Sequence, residues 1–448
     1  MPVQVTNIAL PDAGKILNLY MKIGFVVHFF DFRNDVRKVI DIISQQHQVV
    51  LFVRKEDLQQ IKSFVNDRIE VRMADENLPT SQNLILNNLF RFLGKLPESI
   101  QNYYLMEVFK ISLNPAPVQK KARFWLDLSM KLPRIMTYDY YLNHLQYKGA
   151  TPIDDIDEFI CFTDISDSYL LARLIRERKK VKIYVYSWDH PCKQVKYSNQ
   201  VDYLVWNEGI REDMIKLQHI HPERIQITGA SQFAYVDQFL SIPEASLSKP
   251  FSFPYIYFGC AIGAPEIATD EIKVIRLLSQ AMQKHLPDVR LVVRPYPVMK
   301  DWSIYESLKE LPNVILDDKF RSKDLSVQED FIMEKFIKIH FAEAFIHLGT
   351  TLGFEACFTE TPSIIIDFEY FQQDKSLLSI KNFVHQYQND KYLLLKEYPN
   401  VVHSEKELKE LFQGLLPDKT RYLAYNKAVR DTTPLKKFEQ FASQLIYN

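Results

Sequence analysis

The sequence predicts an α/β protein made of two Rossmann-like βα domains that face each other across a cleft. Short apolar runs alternate with helical patterns along both halves of the chain, as in parallel sheets with helical crossovers. The length of 448 residues suits two domains of about 200 residues each. A segment rich in proline and serine divides the alternation in two, and folds of this class bind ligands at the carboxyl ends of their strands.

Residues 1–240 predict an N-terminal domain, whose seven strands are expected at Lys22–Phe30, Gln48–Val53, Ile69–Met73, Glu158–Thr163, Lys182–Ser187, Tyr203–Trp206 and Ile225–Thr228. Between them, residues 81–145 follow a helical pattern rich in Tyr, Phe and Leu, which predicts a helical insertion over the first sheet. Residues 241–253 contain Pro243 and Pro250 and predict the linker.

Residues 254–430 predict a second βα domain, with strands at Tyr255–Phe258, Arg290–Val293, Val314–Leu316, Phe345–His347 and Ser363–Ile366. Its helices are expected at Asp270–His285, Ser303–Leu308, Gln328–Ile339 and Leu352–Cys357. Residues 431–448 predict a terminal helix that can cross back to the N-terminal domain.

Composition excludes several classes of protein. The formal net charge of −1 argues against a general nucleic-acid binder, which needs a basic excess. The four cysteines form no Cys-x-x-Cys pair, so neither a zinc site nor a disulfide framework is indicated. The first residues lack the pattern of a signal peptide, and no apolar run approaches the ~20 residues of a membrane span. We therefore expect a cytoplasmic protein.

The clearest functional motif is a Gly-Thr-Thr turn between the predicted strand at Phe345–His347 and the helix that follows. Gly349, Thr350 and Thr351 would place backbone N–H groups and two hydroxyls at a helix N-terminus, which favours a phosphate. Glu355 follows about one helical turn later, within reach of a ribose hydroxyl pair. The alternative is an ordinary βαβ unit in which a threonine merely caps the helix.

Glycine is scarce, with 11 residues in the whole chain, and several of them stand in turns between strands and helices. One such turn carries Gly259, Cys260 and Gly263, where we expect the backbone to approach a ligand closely. The spacing is not a dinucleotide fingerprint, because no complete Gly-x-Gly-x-x-Gly occurs.

A cation follows the strand predicted at Arg290–Val293. Arg294, which Pro295 follows directly, stands where it can offer a forked contact to a diphosphate. The alternative is a surface arginine that pairs with Asp288 or Asp301.

Three turns of the N-terminal domain carry candidate acids, which we rank Asp189, Asp164 and Asp31. Asp189 stands beside Ser187, His190 and Lys193, a group that can hold a hydroxylated acceptor or supply a base, unless it is simply a polar turn. For Asp164 the alternative is a helix cap. Asp31 follows an apolar run that contains His28, which we interpret as a core histidine.

Residues 119–134 form a basic, amphipathic stretch. One interpretation is a helix that rests on an anionic membrane surface near a lipid-linked acceptor. The other is a solvated helix face over a core.

Five short motifs together resemble bacterial surface-polysaccharide glycosyltransferases, of the capsule or O-antigen type, with the GT-B fold. They are Ser187-Trp-Asp189, Asp202-Tyr-Leu-Val-Trp-Asn-Glu208, Gln226-Ile-Thr-Gly-Ala-Ser-Gln-Phe233, Arg294-Pro-Tyr-Pro297 and Gly349-Thr-Thr-Leu-Gly-Phe-Glu355. The resemblance runs from about Glu158 to Asp367. Several relatives carry a histidine where this chain has Tyr296, so the role of an imidazole at the leaving group would be altered.

The resemblance implies a metal-independent glycosyltransferase of surface polysaccharide or lipopolysaccharide synthesis, with a nucleotide sugar as co-substrate and no cofactor. The donor-binding residues would be Gly259, Cys260, Gly263, Arg294, Tyr296, His347, Gly349, Thr350, Thr351 and Glu355 in residues 254–430. The acceptor, a saccharide or lipid-linked saccharide, would meet Ser187, His190 and Lys193, and peripheral contact with the inner face of the membrane would accompany a lipid-linked one. Two alternatives remain: another GT-B enzyme, such as a nucleotide-sugar epimerase or polyol-phosphate transferase, or a non-catalytic nucleotide-sugar-binding scaffold.

Overall fold

The fold consists of two parallel β-sheets, each covered by helices. The computed structural model describes residues 20–27, 33–62, 65–74, 80–147, 151–162, 168–193, 195–261, 265–297, 302–320, 329–373, 376, 378–386 and 392–447. Every strand pairing within these ranges that belongs to the two sheets is parallel. The predicted class, α/β with two Rossmann-like domains, is confirmed.

The first sheet has seven strands: β1 (Lys22–Val26), β2 (Gln48–Val53), β3 (Ile69–Met73), β4 (Glu158–Phe162), β5 (Lys180–Tyr184), β6 (Asp202–Val205) and β7 (Ile225–Ile227). Their order is β3-β2-β1-β4-β5-β6-β7. The central strands are rich in Val, Ile and Phe and are buried along almost their whole length, as expected for a parallel sheet with helices on both faces. The chain reverses direction across the sheet between β1 and β4.

The second sheet has six strands: β8 (Tyr255–Gly259), β9 (Arg290–Arg294), β10 (Val314–Leu316), β11 (Phe345–His347), β12 (Ser363–Ile366) and β13 (Val401–Val402). Their order is β10-β9-β8-β11-β12-β13, so the reversal lies between β8 and β11. Each strand predicted from the sequence is present within a few residues. The two-residue strand β13 was not predicted, because so short a segment has no periodicity of its own.

Ten helices of the first half are α1 (Asn34–Ser44), α2 (Leu58–Lys62), α3 (Ser81–Leu93), α4 (Ile100–Ser112), α5 (Ala116–Ser129), α6 (Tyr138–His144), α7 (Ser168–Arg176), α8 (His190–Lys193), α9 (Glu208–Gln218) and α10 (Ala234–Leu240). Polar side chains start three of them: Thr80 caps α3, Thr137 caps α6 and Asn207 caps α9. Helices α3 to α6 all lie in the connection between β3 and β4.

The second half contains α11 (Pro265–His285), α12 (Ser303–Glu306), α13 (Glu329–His340), α14 (Thr351–Cys357), α15 (Glu405–Leu415), α16 (Thr420–Arg430) and α17 (Phe438–Tyr447). No helix among the described residues is long and apolar enough to cross a membrane.

The last helix, α17, packs on the first sheet rather than on the second. Phe441 meets Tyr184 edge to face with ring centroids 5.2 Å apart, and the Tyr447 hydroxyl lies 2.9 Å from Nε2 of His47. The ammonium of Lys182 donates a hydrogen bond of 2.8 Å to the carbonyl oxygen of Leu445. The chain therefore ties the two halves together a second time after the linker.

Aromatic contacts also join the two halves of the chain directly. Phe354 of α14 lies 5.4 Å from Trp188 and 6.3 Å from Phe233, both of which belong to the first half. On the neighbouring helices, Phe239 lies 5.6 Å from Phe336. One buried apolar cluster contains residues of both halves, so the boundary between them is a packed core.

Removal of one partner of the Lys182–Glu158 ion pair should lower stability strongly, whatever the net contribution of the intact pair. Its N–O distance is 2.7 Å, and both side chains are buried. Lys182→Met leaves Glu158 as a buried charge without its close partner, and we expect a loss of about 3 kcal/mol or more in the free energy of unfolding. Urea denaturation measures this loss.

Lys180→Met is the matched control, because Lys180 approaches the same carboxylate at 3.2 Å but is half-exposed. We expect it to cost less than about 1 kcal/mol. Equal losses for both variants would show that burial of the pair does not determine its contribution to stability.

Candidate functional site

The carboxyl ends of the two parallel sheets bring polar residues from both halves of the chain to one region. On the first sheet these residues follow β1 and β5, and on the second they follow β8, β9 and β11. The reversals beside β1 and β8 open space at the centres of the sheets, which is where ligands of doubly wound folds bind.

The turn after β11 has the shape that the sequence predicted. Gly349 adopts a φ of 121°, which a side chain would disfavour. Thr350 is the N-cap of α14, and its hydroxyl accepts a hydrogen bond of 3.4 Å from the backbone N–H of Leu352. The backbone N–H groups of Thr350 and Thr351 have no hydrogen-bond acceptor within the described ranges. Because α14 has only seven residues, its dipole is short. The turn would therefore bind an anion mainly through these two N–H groups.

His347 lies behind this turn, in the interior. Its side chain is completely buried, with Nδ1 accepting a 3.0 Å hydrogen bond from the Gly349 N–H and Nε2 3.2 Å from the Ser363 hydroxyl. A Cβ at Gly353 would come within 2.5 Å of its ring. His347, which the sequence suggested as a donor-binding residue, therefore holds the turn in place from behind and does not present its ring nitrogens to a ligand.

Arg294 ends β9 and is 9% exposed, which excludes the alternative of a surface arginine. The positive charge of Arg294 and a hydrogen bond from its side chain both lower the pKa of the Tyr257 hydroxyl, although burial raises that pKa by more. Tyr257 in turn donates a 2.7 Å hydrogen bond to Asp317, which also accepts one of 2.7 Å from Lys338. This buried network fixes the arginine at the carboxyl edge of the sheet.

Glu355 extends from α14 and forms a 2.5 Å ion pair with Lys335 of α13. Both side chains are largely buried. Burial lowers the pKa of Lys335, while the charges of Glu355 and Asp35 oppose that shift and Arg294 adds to it. Since Asp35 belongs to the first half of the chain, this pair lies where the two halves meet.

On the opposite edge, Asp189 is surrounded by the neighbours that the sequence suggested. Its carboxylate accepts hydrogen bonds of 2.5 Å from Ser187 and from Lys193. Burial raises the pKa of Asp189, but the charges of Lys193 and His190 and these hydrogen bonds outweigh it, so the pKa lies below its ordinary value. Asp189 is therefore an anion at neutral pH and a weak base.

Tyr296 faces this group from the second half of the chain. Burial raises the pKa of Tyr296, the positive charges of Arg33 and Lys193 oppose the shift, and Asp189 adds to it. These three charges belong to the first half. The tyrosine thus lies between the two edges, two residues beyond Arg294.

Sequence reasoning missed Asp35, in the first turn of α1. It is 4% exposed and accepts hydrogen bonds of 2.5 Å from Ser231 and 3.1 Å from Tyr186. Burial raises the pKa of Asp35 above its ordinary value, against the opposing effects of Ser231, Arg33 and Tyr186. Its position in the helix that follows β1 was the available signal, but an acid in a first helical turn is ordinarily a dipole partner.

The remaining predicted residues divide into two groups. Asp31, Asp164 and Gly263 lie outside the described residues and stay predictions. Gly259 is packed so that a Cβ would meet the Phe345 ring at 2.6 Å. Burial raises the pKa of the Cys260 thiol well above its usual value, so it is a neutral side chain. No group of three or more His, Cys, Asp or Glu within the described ranges is arranged to hold a metal ion.

Comparison with known proteins supports the fold. Neither a protein-family model nor a curated protein matches the sequence. Among solved structures, a protein of Listeria monocytogenes assigned as a UDP-N-acetylglucosamine 2-epimerase is similar at a TM-score of 0.50 and 8% identity, over 95% of each chain. The UDP-GlcNAc 2-epimerase of Methanocaldococcus jannaschii and a glycosyltransferase of Rickettsia africae each reach 0.48, at 10% and 9% identity, over 96% of this chain and 100% of theirs.

At such identities the likeness shows the fold alone, and the two scores below 0.5 carry no argument. The chain has the two-domain α/β arrangement of GT-B proteins.

Asp35 should reduce stability at neutral pH. A raised pKa means that the folded state holds the proton more tightly than the unfolded state. The stabilising contribution of protonated Asp35 to the free energy of unfolding is therefore fully present below its ordinary pKa of 3.8. This contribution is lost as the pH rises through the pKa of Asp35 in the folded state. At about pH 7 to 8, we expect Asp35→Asn to melt at a higher temperature than the wild type. The difference in melting temperature should shrink as the pH falls toward about 4, close to the ordinary pKa of 3.8.

Thermal melts across this pH range test the expectation, with Asp154→Asn, at an exposed position, as the control. A lower melting temperature for Asp35→Asn at every pH would contradict it.

Proposed function

We propose that this chain is a glycosyltransferase that moves a sugar from a nucleotide-sugar donor to a hydroxyl group of a saccharide or lipid-linked acceptor, in the synthesis of a bacterial surface polysaccharide or glycoconjugate. Residues 254–430 bind the donor, and residues 1–240 bind the acceptor. No bound metal takes part in the proposed reaction.

The observation that carries the proposal is the arrangement of charges across the boundary between the two halves. Arg294 and the Thr350–Thr351 N–H groups supply positive charge and donors on one side. The other side supplies the anionic Asp189 and the buried Asp35, whose pKa values shift in opposite directions. Two carboxyl groups whose pKa values differ in this way are suited to different tasks in one reaction.

On the donor side, we assign the diphosphate to Arg294 and the turn after Gly349. A guanidinium offers paired N–H groups to phosphate oxygens, and backbone N–H groups add to them. Glu355 is assigned to the ribose hydroxyls. Its ion pair with Lys335 leaves one carboxylate oxygen beyond the ion pair and holds the side chain in one orientation.

On the acceptor side, we assign proton removal to Asp35 and orientation of the acceptor to Asp189 with Ser187, His190 and Lys193. In the proposed step, the carboxylate takes the proton of the acceptor hydroxyl and the oxygen forms a bond to the anomeric carbon. The bond from that carbon to the phosphate oxygen breaks, and the nucleoside diphosphate leaves with both electrons. Arg294 stabilises the charge that develops on it.

The sequence ranked Asp189 first as the base. We prefer Asp35 because its raised pKa makes it the stronger base of the two at neutral pH. Asp164 and Asp31 remain further candidates.

A nucleotide-sugar epimerase is the second candidate function. The similar Listeria protein is assigned as a UDP-N-acetylglucosamine 2-epimerase, and the same donor cradle would serve that reaction. An epimerase converts its sugar nucleotide with no acceptor present, so the requirement for an acceptor distinguishes the two.

The donor assignment predicts that nucleotide binding depends on Arg294 and Glu355. Titration calorimetry with UDP, GDP and CMP should find one nucleotide that binds the wild type. We expect Arg294→Gln to weaken that binding about tenfold or more through loss of charge-assisted hydrogen bonds, and Glu355→Gln to weaken it by a similar factor.

Two controls are matched to these changes. Arg290→Gln removes an arginine from the other end of the same strand, and Glu360→Gln removes an exposed carboxylate just beyond α14. Neither should alter binding. If no nucleotide binds the wild type, the donor site is wrong and a structural role becomes the better explanation.

The catalytic assignment predicts a separate outcome. Asp35→Asn should lower the rate of sugar transfer by about a hundredfold or more while the nucleotide affinity changes little. Mass spectrometry of reactions with acceptor measures the transfer. Proton NMR of the sugar nucleotide incubated without acceptor detects inversion at a ring carbon, which leaves the mass unchanged. Such inversion would establish the epimerase, and unchanged turnover in Asp35→Asn would remove this residue from the mechanism.

A further inference from the structure

The helical insertion between β3 and β4 has an unusual surface. Of the seventeen large hydrophobic side chains that are exposed in the described part of the chain, eleven lie in residues 80–147. These are Leu84, Ile85, Leu89, Ile100, Leu113, Val118, Phe124, Trp125, Leu128, Ile135 and Tyr140. Scattered exposed hydrophobic residues are normal, but their concentration in one insertion is the sign of an interaction surface.

Helical spacing places the largest of these side chains on common faces. On α5, Lys121, Phe124, Trp125 and Leu128 follow each other at intervals of three, one and three residues, so they share one side of the helix. Phe124 is 62% and Trp125 41% exposed.

Helix α3 continues this surface. Ile85, Leu89 and Phe92 are spaced by four and three residues and therefore lie along one stripe. The ring of Phe92 lies 6.0 Å from that of Trp125, which connects the stripe to α5. We call these faces of α3 and α5 the apolar face.

The surroundings of the apolar face are basic. Residues 80–147 contain eight Lys and Arg against four Asp and Glu, a net charge of +4 in a chain whose total is −1. Within the described ranges, Arg91, Lys120, Lys121 and Lys131 form no salt bridge, so their charges are directed to solvent.

We propose that the apolar face docks on the surface of an anionic phospholipid bilayer. Aromatic and leucine side chains that enter the boundary between headgroups and acyl chains, with lysines directed at anionic headgroups, are the features of an interfacial helix. The lysines would also lie against the phosphates of that surface, which matches their charge.

The charge distribution argues against a second copy of the chain as the occupant. A two-fold contact brings the same patch of both copies together, so the basic surroundings of the apolar face would meet an equally basic patch. Burial of like charges against each other is unfavourable, whereas an anionic surface neutralises them.

The apolar face belongs to the same insertion as α4, which touches the candidate acceptor site. The Ser99 hydroxyl, at the start of α4, donates a 2.6 Å hydrogen bond to the carbonyl oxygen of Cys192 in α8, and Lys193 of α8 pairs with Asp189. A bilayer at this insertion would hold a lipid-linked acceptor near that group; this last step alone rests on the proposed function.

Cosedimentation of the full chain with vesicles tests the proposal. We use phosphatidylcholine vesicles with or without about 30% phosphatidylglycerol, at low salt and at about 0.5 M salt. Binding to the anionic vesicles that salt weakens is expected. Lys120→Glu with Lys121→Glu, and separately Phe124→Ser with Trp125→Ser, should each lower the partition coefficient about tenfold or more.

The controls carry the same kinds of change elsewhere. Lys249→Glu with Lys409→Glu alters two exposed lysines, and Leu240→Ser with Leu416→Ser alters two exposed leucines. Both should bind vesicles as the wild type does. If the aromatic variant fails to fold, as judged by its thermal melt, the lysine variant still decides, since its changes are on the surface.

Three outcomes would overturn the proposal. The wild type binds neither kind of vesicle, the control variants lose as much binding as the tested ones, or sedimentation equilibrium shows a dimer that the same changes dissociate. Vesicle binding is measured without nucleotide or acceptor, so failure of the transferase assignment would leave its result unaffected.

Discussion

The position of Phe354 between Trp188 and Phe233 is the constraint on which the candidate site depends. Phe354 lies in α14, the seven-residue helix whose first turn carries Thr350 and Thr351 and whose next residue is Glu355. The contact that closes the two halves on each other therefore also sets the position of the proposed phosphate donors and of the carboxylate. Because aromatic side chains bury large areas and prefer particular ring geometries, a shift of α14 would cost packing on both sheets at once.

The same boundary concentrates charges that a packed core would normally exclude. Four charged side chains lie there with little solvent exposure: Asp35, Arg294, Lys335 and Glu355. The other three all affect the pKa of Lys335. Buried ion pairs add little stability on average, because desolvation offsets their attraction. A stable fold has no need of four such groups between its halves. Buried charges gathered at one place, with the pKa values of Asp35 and Lys335 shifted, are instead typical of a functional site.

How much of the fold and of the candidate site the sequence could predict depends on how far apart in the chain the interacting residues are. Strands such as Glu158–Phe162 are buried on both faces and form continuous apolar runs, so local composition sufficed to place them. Arg294 and Asp189 could be proposed as site residues because Arg294 ends such a strand and Asp189 comes soon after another. The pairing of Glu355 with Lys335 across two helices, and of Asp35 with Ser231 across 196 positions of the chain, leaves no local signature.

The scarce glycines illustrate a second limit. Scarcity pointed to places where the backbone comes close to something, but at Gly353, within α14, the close neighbour is the ring of His347, and at Gly259, at the end of β8, it is Phe345. A glycine in the sequence can indicate that there is no room for a side chain at that position. It does not indicate whether another part of the protein or a ligand occupies the space. For Gly349 the reason is different again, since its positive φ defines the turn itself.

The topology explains why the insertion can carry a surface that the core does not need. In the first sheet, the chain must return from β3 at the edge to β4 beside β1, so this connection crosses two strands and is long in any case. The entropy of closing a connection grows only slowly with its length, and helices α3 to α6 therefore add little cost to a crossing that the sheet order already requires. Tyr138 and Tyr141 of α6 pack into the core and anchor the insertion, while the outer sides of α3 and α5 face away from that core. Large hydrophobic side chains on those outer sides stay exposed, and their presence beside lysines that form no salt bridge within the described residues is what an external surface of opposite charge would explain.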